Sequence, residues 1–444
     1  AIPDLTSWTY YERALYSTLM FMSRRPRSVA LSVGLCVASP CLAFGVRFVY
    51  IGVSCCSICL LAVPGFAWCS LLLGWFPKPR GPHGVGSRDV EIRIKRDELE
   101  ASSTHFWARL YYPSSGSVNV ADTWLPTPEY SVALGGIYGL PGLISAFLLY
   151  PMRFLRTRST KDSVMEDGVW PVVLFSHGLC GTRTMYSALC TEIASHGYCV
   201  VAPEHTDGSA CLAVSGGRVF PYISHTRANR AEQLNQRVLE LESCWEALPQ
   251  LETNFSKCLD LSRCVLMGHS FGGATVACAA SADAFRNRSS LVMLDPWIGP
   301  ASDIFKDVQV PTLIIMQGSS MLWSENASHL VHLLNVVDSK SQPAFFTEVL
   351  GARHHDASDV PFFLHVPMAL LCSCSMTRSG HWVWHRNSEL IQQFLSSANE
   401  DEAIKVQRLA SISGVRVYDW KSWLKGTENH DDFLQTASNA LAGA

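Results

Sequence analysis

The amino-acid sequence predicts an α/β fold with a mostly parallel central sheet and helices on both faces, and three observations support this. Short apolar runs rich in β-branched residues recur between residues 171 and 350. Stretches with helical spacing lie between them. One run leads directly into a glycine-flanked serine that is followed by small residues. Strands that are apolar on both faces and alternate with helices are typical of a buried parallel sheet.

The strands are expected in the following order. Residues 89–95, "DVEIRIK", alternate polar and apolar side chains as a half-exposed strand does, and residues 106–113, "FWARLYYP", form its expected partner. The remaining apolar runs suit buried parallel strands. These runs are residues 171–176, 198–203, 263–268, 291–295, 311–317 and 344–350.

Two helices are expected between these strands. Over residues 182–196, Met185, Leu189 and Ile193 recur at every fourth position, which places them on one helix face. Residues 227–248 form a long amphipathic pattern. Both stretches would cover the sheet with their apolar sides.

An apolar block lies near the start of the 444-residue chain. Residues 28–46 carry no charged side chain, and residues 48–77 carry none either. A helix needs about 20 apolar residues to cross a bilayer, whereas the apolar core of a signal sequence spans only about 7–15. One or two transmembrane helices are therefore expected over residues 28–76, with a cleaved signal sequence or a buried helix as alternatives. Basic residues flank the block on both sides, so a membrane location is predicted without an orientation.

The composition limits the classes of binding partner and cofactor that are expected. The 35 Lys and Arg residues nearly balance the 38 Asp and Glu residues, and a net charge of −3 does not favour a nucleic-acid partner. The 16 cysteines lack the paired spacing of zinc sites and are expected to be free, buried thiols. Neither a metal nor a cofactor is predicted.

The stretch "GHSFGGAT" (268–275) follows the apolar run at 263–268. A G-x-S-x-G pattern between a strand and a helix is the nucleophile elbow of the α/β-hydrolase fold. Gly268 and Gly272 flank the serine because a Cβ at either position would collide with the strand or the helix. Ser270 is thereby placed at a helix N-terminus, where free N–H groups face the reacting centre. The pattern predicts a nucleophilic Ser270; the alternative is a tight structural turn.

A serine nucleophile needs a base and an acid that orients the base, and in this fold they follow in the order serine, acid, histidine. Asp295 ends the strand after the elbow and is the predicted acid; its alternative role is a helix N-cap. After the next strand, no acidic residue occurs before Glu325. Asp295 is therefore preferred at the sheet edge that carries Ser270.

The base is expected after the last buried strand. His354 and His355 both lie there, in "GARHHDASD". His177, His205 and His269 precede or adjoin the serine and do not fit the chain order. Position alone leaves His354 and His355 as candidates.

The oxyanion requires two backbone donors. One is the N–H of Phe271, directly after the nucleophile. The other is expected in "FSHGLCGT" (175–182), where Gly178 and Gly181 give the backbone freedom, and it is assigned to Leu179. The alternative for this loop is a plain strand–helix turn.

Several stretches together resemble the platelet-activating-factor acetylhydrolases of the plasma and intracellular type II kind. They include "VVLFSHGL", "IASHGYCVVAPEH", "GHSFGGAT", "LDPW" and "HHDASD", within about residues 76–360. The resemblance implies a triad of Ser270, Asp295 and His354, because the family's histidine stands five residues before an aspartate, here Asp359. It also implies oxyanion donors at the two backbone positions assigned above. Residues 361–387 depart from the family pattern.

The resemblance implies a calcium-independent serine esterase of the phospholipase A2 type. Its substrate would be a phospholipid with a short or oxidised sn-2 acyl chain, as for a 1-alkyl-2-acetylglycerophosphocholine esterase, and an acyl-enzyme would form. A neutral lipase or general carboxylesterase with the same triad is the alternative. A catalytically silent lipid-binding scaffold is a further alternative of a different class.

Residues 130–155, "YSVALGGIYGLPGLISAFLLYPMRFL", are apolar on more faces than a soluble surface helix. In the family this region helps the enzyme to sit on lipid, so an interfacial element that contacts a membrane or lipid surface is expected. The alternative is a buried lid helix.

The predicted domain organisation follows from these assignments. It comprises an N-terminal extension (1–27), the membrane segment (28–76), a Pro- and Gly-rich linker (77–88), the catalytic α/β-hydrolase domain (89–425) and a C-terminal tail (426–444).

Overall fold

A computed structural model describes the part of the chain that carries the predicted sheet. The described residues are 76–94, 105–116, 120–137, 139–224, 228–301, 307–318, 324–362, 374–375, 377–396 and 401–420. Residues 28–75 of the membrane segment predicted at 28–76, the extension before it and the tail at 426–444 lie outside them. Within the described ranges, no helix is both long enough and apolar enough to span a bilayer.

Eleven described strands form one sheet. The strands are β1 (Gly84–Arg93), β2 (His105–Ser114), β3 (Ala121–Thr123), β4 (Arg156–Lys161), β5 (Trp170–Ser176), β6 (Cys199–Pro203), β9 (Leu259–His269), β10 (Ser289–Leu294), β11 (Thr312–Gln317), β12 (Ala344–Val349) and β13 (Val415–Tyr418). A separate hairpin consists of β7 (Leu212–Ser215) and β8 (Arg218–Pro221). Their order across the sheet is β13-β12-β11-β10-β9-β5-β6-β2-β1-β4-β3.

The helices are numbered in chain order. They are α1 (Glu129–Ile137), α2 (Gly142–Leu149), α3 (Ser187–Ser195), α4 (Arg230–Ala247), α5 (Thr253–Ser256), α6 (Phe271–Ala280), α7 (Ser324–Ser339), α8 (Gly380–Ser396) and α9 (Glu402–Ala410).

The centre of the sheet is parallel, as the sequence predicted. Strands β6, β5, β9, β10, β11 and β12 run parallel, while β2 and β13 pair antiparallel at either side. One apolar layer, which includes Leu241 of α4 and Leu333 of α7, covers one face. A second layer, which includes Ile193 of α3 and Ile391 of α8, covers the other. The predicted α/β architecture with helices on both faces is therefore confirmed.

The segment expected to be a linker, 77–88, is built into this domain. Strand β1 already begins at Gly84, and the backbone N–H and the guanidinium of Arg80 both donate to Glu192 of α3 at 2.9 Å. Phe76, which closes the predicted membrane segment, is only 4% exposed, and its ring lies 6.0 Å from that of Phe362. The Pro and Gly residues here lead into β1, which lies between β2 and β4 in the sheet. Tertiary contacts fix this segment, although it has no local periodicity.

Two other stretches differ from expectation in their bounds. The helix predicted over 182–196 begins at Ser187, and the residues before it form a turn. The apolar segment 130–155 divides into α1, α2 and a short 3₁₀ turn, because Gly139 adopts a φ of 73° between the two helices. Residues 380–387, within the stretch expected to depart from the family pattern, form the start of α8, and Val383, Trp384 and Asn387 are buried.

Candidate active site

Ser270 stands between β9 and α6 in a strained backbone conformation. Its φ is 56° and its ψ is −122°, and it is 8% exposed. A Cβ at Gly268 would lie 2.2 Å from the Gly272 carbonyl oxygen, and one at Gly272 would lie 2.0 Å from the Ser176 carbonyl oxygen. Only glycine therefore fits on either side of the serine. The sharp turn directs the hydroxyl away from the sheet, as the G-x-S-x-G pattern predicts.

The three predicted triad residues lie in one line of hydrogen bonds. The His354 Nε2 atom is 2.9 Å from the Ser270 Oγ atom, and the His354 Nδ1 atom is 2.5 Å from the Asp295 Oδ2 atom. Asp295 is 2% exposed, whereas the His354 side chain is 31% exposed. A buried acid thus holds an imidazole whose other nitrogen faces the serine, which is the arrangement that a serine nucleophile requires.

Strand register brings the acid to the serine. Leu294 of β10 pairs with His269 of β9, so the residues after each strand, Asp295 and Ser270, emerge side by side. The Ser270 N–H donates to the Leu294 carbonyl at 3.1 Å. The second carboxylate oxygen of Asp295, Oδ1, accepts from the Gln317 N–H at 2.9 Å, which fixes the carboxylate orientation.

A residue that the sequence analysis did not single out supports the acid loop. Asn326 of α7 is 2% exposed; its Oδ1 accepts from the Ile298 N–H at 2.8 Å, and its Nδ2 donates to the Pro296 carbonyl at 2.8 Å. The amide thereby satisfies two backbone groups just after Asp295. Nothing in the local pattern distinguishes this asparagine from a solvent-exposed one.

The structure distinguishes the two candidate bases. His354 and His355 begin a short 3₁₀ turn, and the His355 ring lies edge-on to the His354 ring with centroids 5.2 Å apart. Burial lowers the pKa of His355 to about 4, and the charge of the nearby His354 makes a smaller contribution. Asp356 fixes the turn by accepting from the Arg353 N–H at 2.8 Å and the Ser375 N–H at 3.0 Å. His354 alone of the two bonds to the serine.

The predicted oxyanion donors lie on both sides of the nucleophile. Phe271 follows Ser270 at the first position of α6, and Gly178, the neighbour of Leu179, approaches so closely that a Cβ there would lie 3.2 Å from the Ser270 Cβ atom. Neither the Leu179 nor the Phe271 N–H donates a hydrogen bond to another described residue. Cys180 follows with a φ of 60°. Two free amides beside a serine can stabilise a tetrahedral oxyanion.

A buried cluster of polar side chains packs against the oxyanion loop. The Arg237 guanidinium donates to the His177 carbonyl at 2.7 Å and lies 4.7 Å from the centroid of the Phe271 ring. The Ser176 hydroxyl is 2.8 Å from the His205 Nε2 atom, whose Nδ1 is 2.7 Å from Glu240. These groups repeat the serine–histidine–acid order, but none of them is more than 1% exposed. They stabilise the oxyanion loop, and because they are buried they do not contact substrate.

Asp359 connects the histidine loop to α3. Its carboxylate accepts from the Ser187 N–H at 2.7 Å, the Ala188 N–H at 3.0 Å and the Trp124 indole at 3.0 Å. Burial raises the pKa of Asp359 to about 7, although these donors oppose the rise. The aspartate five residues after the histidine therefore serves as the N-terminal cap of a helix that is remote in sequence.

No group of three or more His, Cys, Asp or Glu side chains suited to a metal ion occurs among the residues described. No disulfide bond links the cysteines of the described residues, and most of these cysteines are buried.

Known proteins are similar to this chain over much of its length. Residues 74–373 match the family described as platelet-activating factor acetylhydrolase, isoform II. The platelet-activating factor acetylhydrolase of Cavia porcellus is 30% identical over 315 residues, which cover 64% of this chain and 69% of that protein. That of Gallus gallus is 30% identical over 328 residues, covering 64% and 74%. A putative phospholipase A2 of Schizosaccharomyces pombe is 24% identical, covering 60% and 74%.

A solved structure shares the fold. The ferulic acid esterase of Streptomyces cinnamoneus superimposes with a TM-score of 0.55 at 18% sequence identity, covering 72% of this chain and 91% of that one. At this identity the likeness concerns the fold alone.

Proposed function

The chain belongs to the platelet-activating factor acetylhydrolase isoform II family, and on that premise we propose that it is a calcium-independent phospholipid esterase. It would cleave the sn-2 ester of phospholipids that carry a short or oxidised acyl chain. The observation that carries this proposal is the unbroken line from Asp295 through His354 to Ser270.

The mechanism follows from the geometry of that line. The Ser270 Oγ atom attacks the sn-2 carbonyl carbon, while His354 Nε2 accepts its proton. The N–H groups of Leu179 and Phe271 donate to the oxygen that becomes negative, and one such donor typically contributes about 2.7–4 kcal/mol to lowering the barrier. The lysophospholipid leaves with the proton from His354, and an acyl-enzyme remains. His354 then activates a water, and Asp295 stabilises the imidazolium in both halves.

We further propose that α1 and α2 contact the lipid surface. Leu143, Ile144 and Phe147 of α2 are 88%, 47% and 58% exposed. These exposures argue against the alternative of a buried lid helix, because a lid would cover such side chains. An apolar helix face that lies open at the surface suits insertion into the interfacial layer of a membrane or lipoprotein.

Membrane anchoring through residues 28–76 stays a proposal that rests on their apolar sequence. It predicts that the full chain stays in the membrane pellet after an alkaline carbonate wash, because a transmembrane helix resists extraction. Release of the full chain into the supernatant would rule out a spanning helix.

The enzymatic proposal is tested with the detergent-solubilised full chain. Hydrolysis of a 2-acetyl ether phosphocholine is measured in EDTA beside the variants Ser270→Ala and His354→Ala. We expect wild-type activity that EDTA does not abolish and that both variants lose by a factor of at least about 10³. Activity that calcium must restore would overturn the metal independence.

Two further assays separate the alternatives. Cleavage of triglycerides or p-nitrophenyl esters through Ser270, without cleavage of the acetyl phospholipid, would indicate a lipase or general carboxylesterase. Absence of Ser270 labelling by a fluorophosphonate would indicate a silent lipid-binding scaffold.

A further inference from the structure

A second line of hydrogen bonds, separate from the triad, runs through the site. The Gly178 N–H donates to the Tyr186 Oη atom at 3.2 Å, and this oxygen is 2.8 Å from the His269 Nδ1 atom. The His269 Nε2 atom in turn is 2.9 Å from the carbonyl oxygen of His354. The line therefore begins in the oxyanion loop, beside Leu179, and ends on the backbone of the catalytic base.

The proton positions along this line are determined by its ends. A carbonyl oxygen only accepts, so the His269 Nε2 atom must carry a hydrogen. Burial, followed by the nearby His354 and His355, lowers the pKa of His269 well below its usual range, so the ring is neutral and Nδ1 is an acceptor. Tyr186 therefore donates its hydroxyl hydrogen to His269 and accepts from Gly178.

The line has little freedom to rearrange. Tyr186 is 4% exposed and His269 is 1% exposed, so water does not compete for their polar atoms. A Cβ at Gly178 would lie 3.1 Å from the Tyr186 hydroxyl and 3.2 Å from the His269 Nδ1 atom, so the loop already touches both groups. The His269 ring also packs against the His354 ring, with centroids 4.6 Å apart.

We propose that Tyr186 and His269 are positioning residues that hold the oxyanion loop and the catalytic base at a fixed separation across the nucleophile elbow. Neither side chain touches the serine hydroxyl or the ester in this role. Their hydrogen bonds set where the Leu179 amide and the His354 imidazole stand relative to Ser270. The inference rests on the proposed esterase function and adds two residues to it.

The expected effect is on turnover more than on binding. Oxyanion donors act on charge that develops in the transition state, so a loop displaced by a few tenths of an ångström lowers kcat and leaves KM nearly unchanged. We expect Tyr186→Phe to lower kcat about tenfold, less than the roughly 10²–10³ that loss of a direct donor costs. His269→Leu, which breaks both contacts, should lower kcat about a hundredfold.

Two comparisons separate positioning from a merely structural role. His269→Gln retains an amide N–H that reaches toward the His354 carbonyl, so it should recover about tenfold of the kcat that His269→Leu loses. The double variant Tyr186→Phe/His269→Leu should be no slower than His269→Leu alone, because a serial line is already broken at His269.

Tyr111→Phe is the matched control. Tyr111 is also fully buried, but its hydroxyl has no hydrogen-bond partner among the described residues. Removing that hydroxyl should leave kcat unchanged. The fraction of folded protein is measured for every variant beside kcat, so that a loss of folded enzyme is not mistaken for a loss of turnover.

The assay uses the full chain in detergent with two substrates, the acetyl phospholipid and p-nitrophenyl acetate. Wild-type protein that cleaves only the second would overturn the phospholipid assignment and still test the positioning role. The inference is wrong if Tyr186→Phe matches Tyr111→Phe in kcat. It is equally wrong if the losses in the double variant multiply, or if they follow the folded fraction.

Discussion

Ser270 adopts a backbone conformation that side-chain-bearing residues rarely occupy, and this has a consequence for stability. Its φ of 56° and ψ of −122° carry strain of about 1–3 kcal/mol for a residue with a Cβ. Glycine has no such penalty, because it lacks the Cβ that clashes. The strained turn is the means by which the hydroxyl is directed away from the sheet and toward His354.

We therefore expect the free energy of unfolding of Ser270→Gly to exceed that of Ser270→Ala by about 1 kcal/mol. Ser270→Gly should then unfold at a higher urea concentration, although both variants are inactive. At Ser281, which ends α6 with a φ of −85°, the order should reverse, and alanine should be the more stable replacement. Equal stabilities of the two Ser270 variants would show that the turn is relaxed.

At the scale of single elements, α3 depends on an aspartate that is distant in the chain. Its N-cap residue, Tyr186, supplies no side-chain cap, and the carboxylate of Asp359 fills that role. The Asp359 N–H also donates to the Met185 carbonyl at 2.9 Å. The contact fixes the start of α3 and, through it, the turn that leads out of the oxyanion loop.

Asp359→Ala should lower the free energy of unfolding by about 3 kcal/mol, because it leaves several buried donors unsatisfied. It should also lower kcat. Asp401→Ala removes a local cap of α9, where Asp401 accepts from the Ala403 N–H at 2.8 Å, and should cost about 1 kcal/mol with full activity. Urea unfolding and turnover of both variants check this, and equal costs would contradict it.

A charge cluster joins β1, β2 and the turn before α3. Asp89 is 2.7 Å from the Arg109 Nε atom and 3.1 Å from the Arg183 Nη2 atom. Although burial opposes ionisation, hydrogen bonds from Arg109 and the charge of Arg183 hold the pKa of Asp89 well below its usual value of 3.8. A depressed pKa contributes stability above that value and loses it as the pH falls further.

Asp89→Asn should therefore cost about 2–3 kcal/mol at pH 7, less than for a fully buried pair because the Asp89 side chain is 27% exposed. The difference from wild type should shrink as the pH falls below 4. Asp283→Asn is the control, since that carboxylate is 97% exposed in its pair with Arg286. A pH-independent cost at position 89 would refute the linkage.

At the scale of the whole molecule, the proposed contact of α2 with lipid requires that its apolar face and the active site lie toward the same lipid surface. Replacing Leu143 and Phe147 by serine removes two exposed apolar side chains and leaves the triad untouched. If they insert into lipid, the apparent KM for micellar or vesicular substrate should rise roughly tenfold, corresponding to about 1.4 kcal/mol of lost apolar contact.

The same double variant should keep its kcat/KM on a soluble monomeric ester. Val164→Ser with Val169→Ser is the matched control, because both valines are 68% exposed on another part of the chain. An equal rise in KM for both double variants would show that α2 has no special contact with lipid.

Much of the fold was readable from local patterns. The buried strands from 171 to 350 and the elbow at Ser270 were predicted within a few residues, because uniformly apolar runs and glycine-flanked turns depend on near neighbours. The residues of the line Asp295–His354–Ser270 were also predicted. The ends of parallel strands indicated Ser270, Asp295 and the pair His354 and His355, and the family resemblance selected His354. The structure brings these side chains together; their catalytic roles stay part of the proposed function.

Tertiary structure alone decided what has no local pattern. The start of α3 depends on Asp359. The incorporation of Arg80 and Gly84 into the domain depends on contacts with distant residues. The line through Tyr186 and His269 joins three loops. The sequence by itself determined which residues bear the chemistry, because strand ends and a glycine-flanked turn are local features. Only the packing of remote segments decided how they are held, because a hydrogen bond between distant residues leaves no period in the chain.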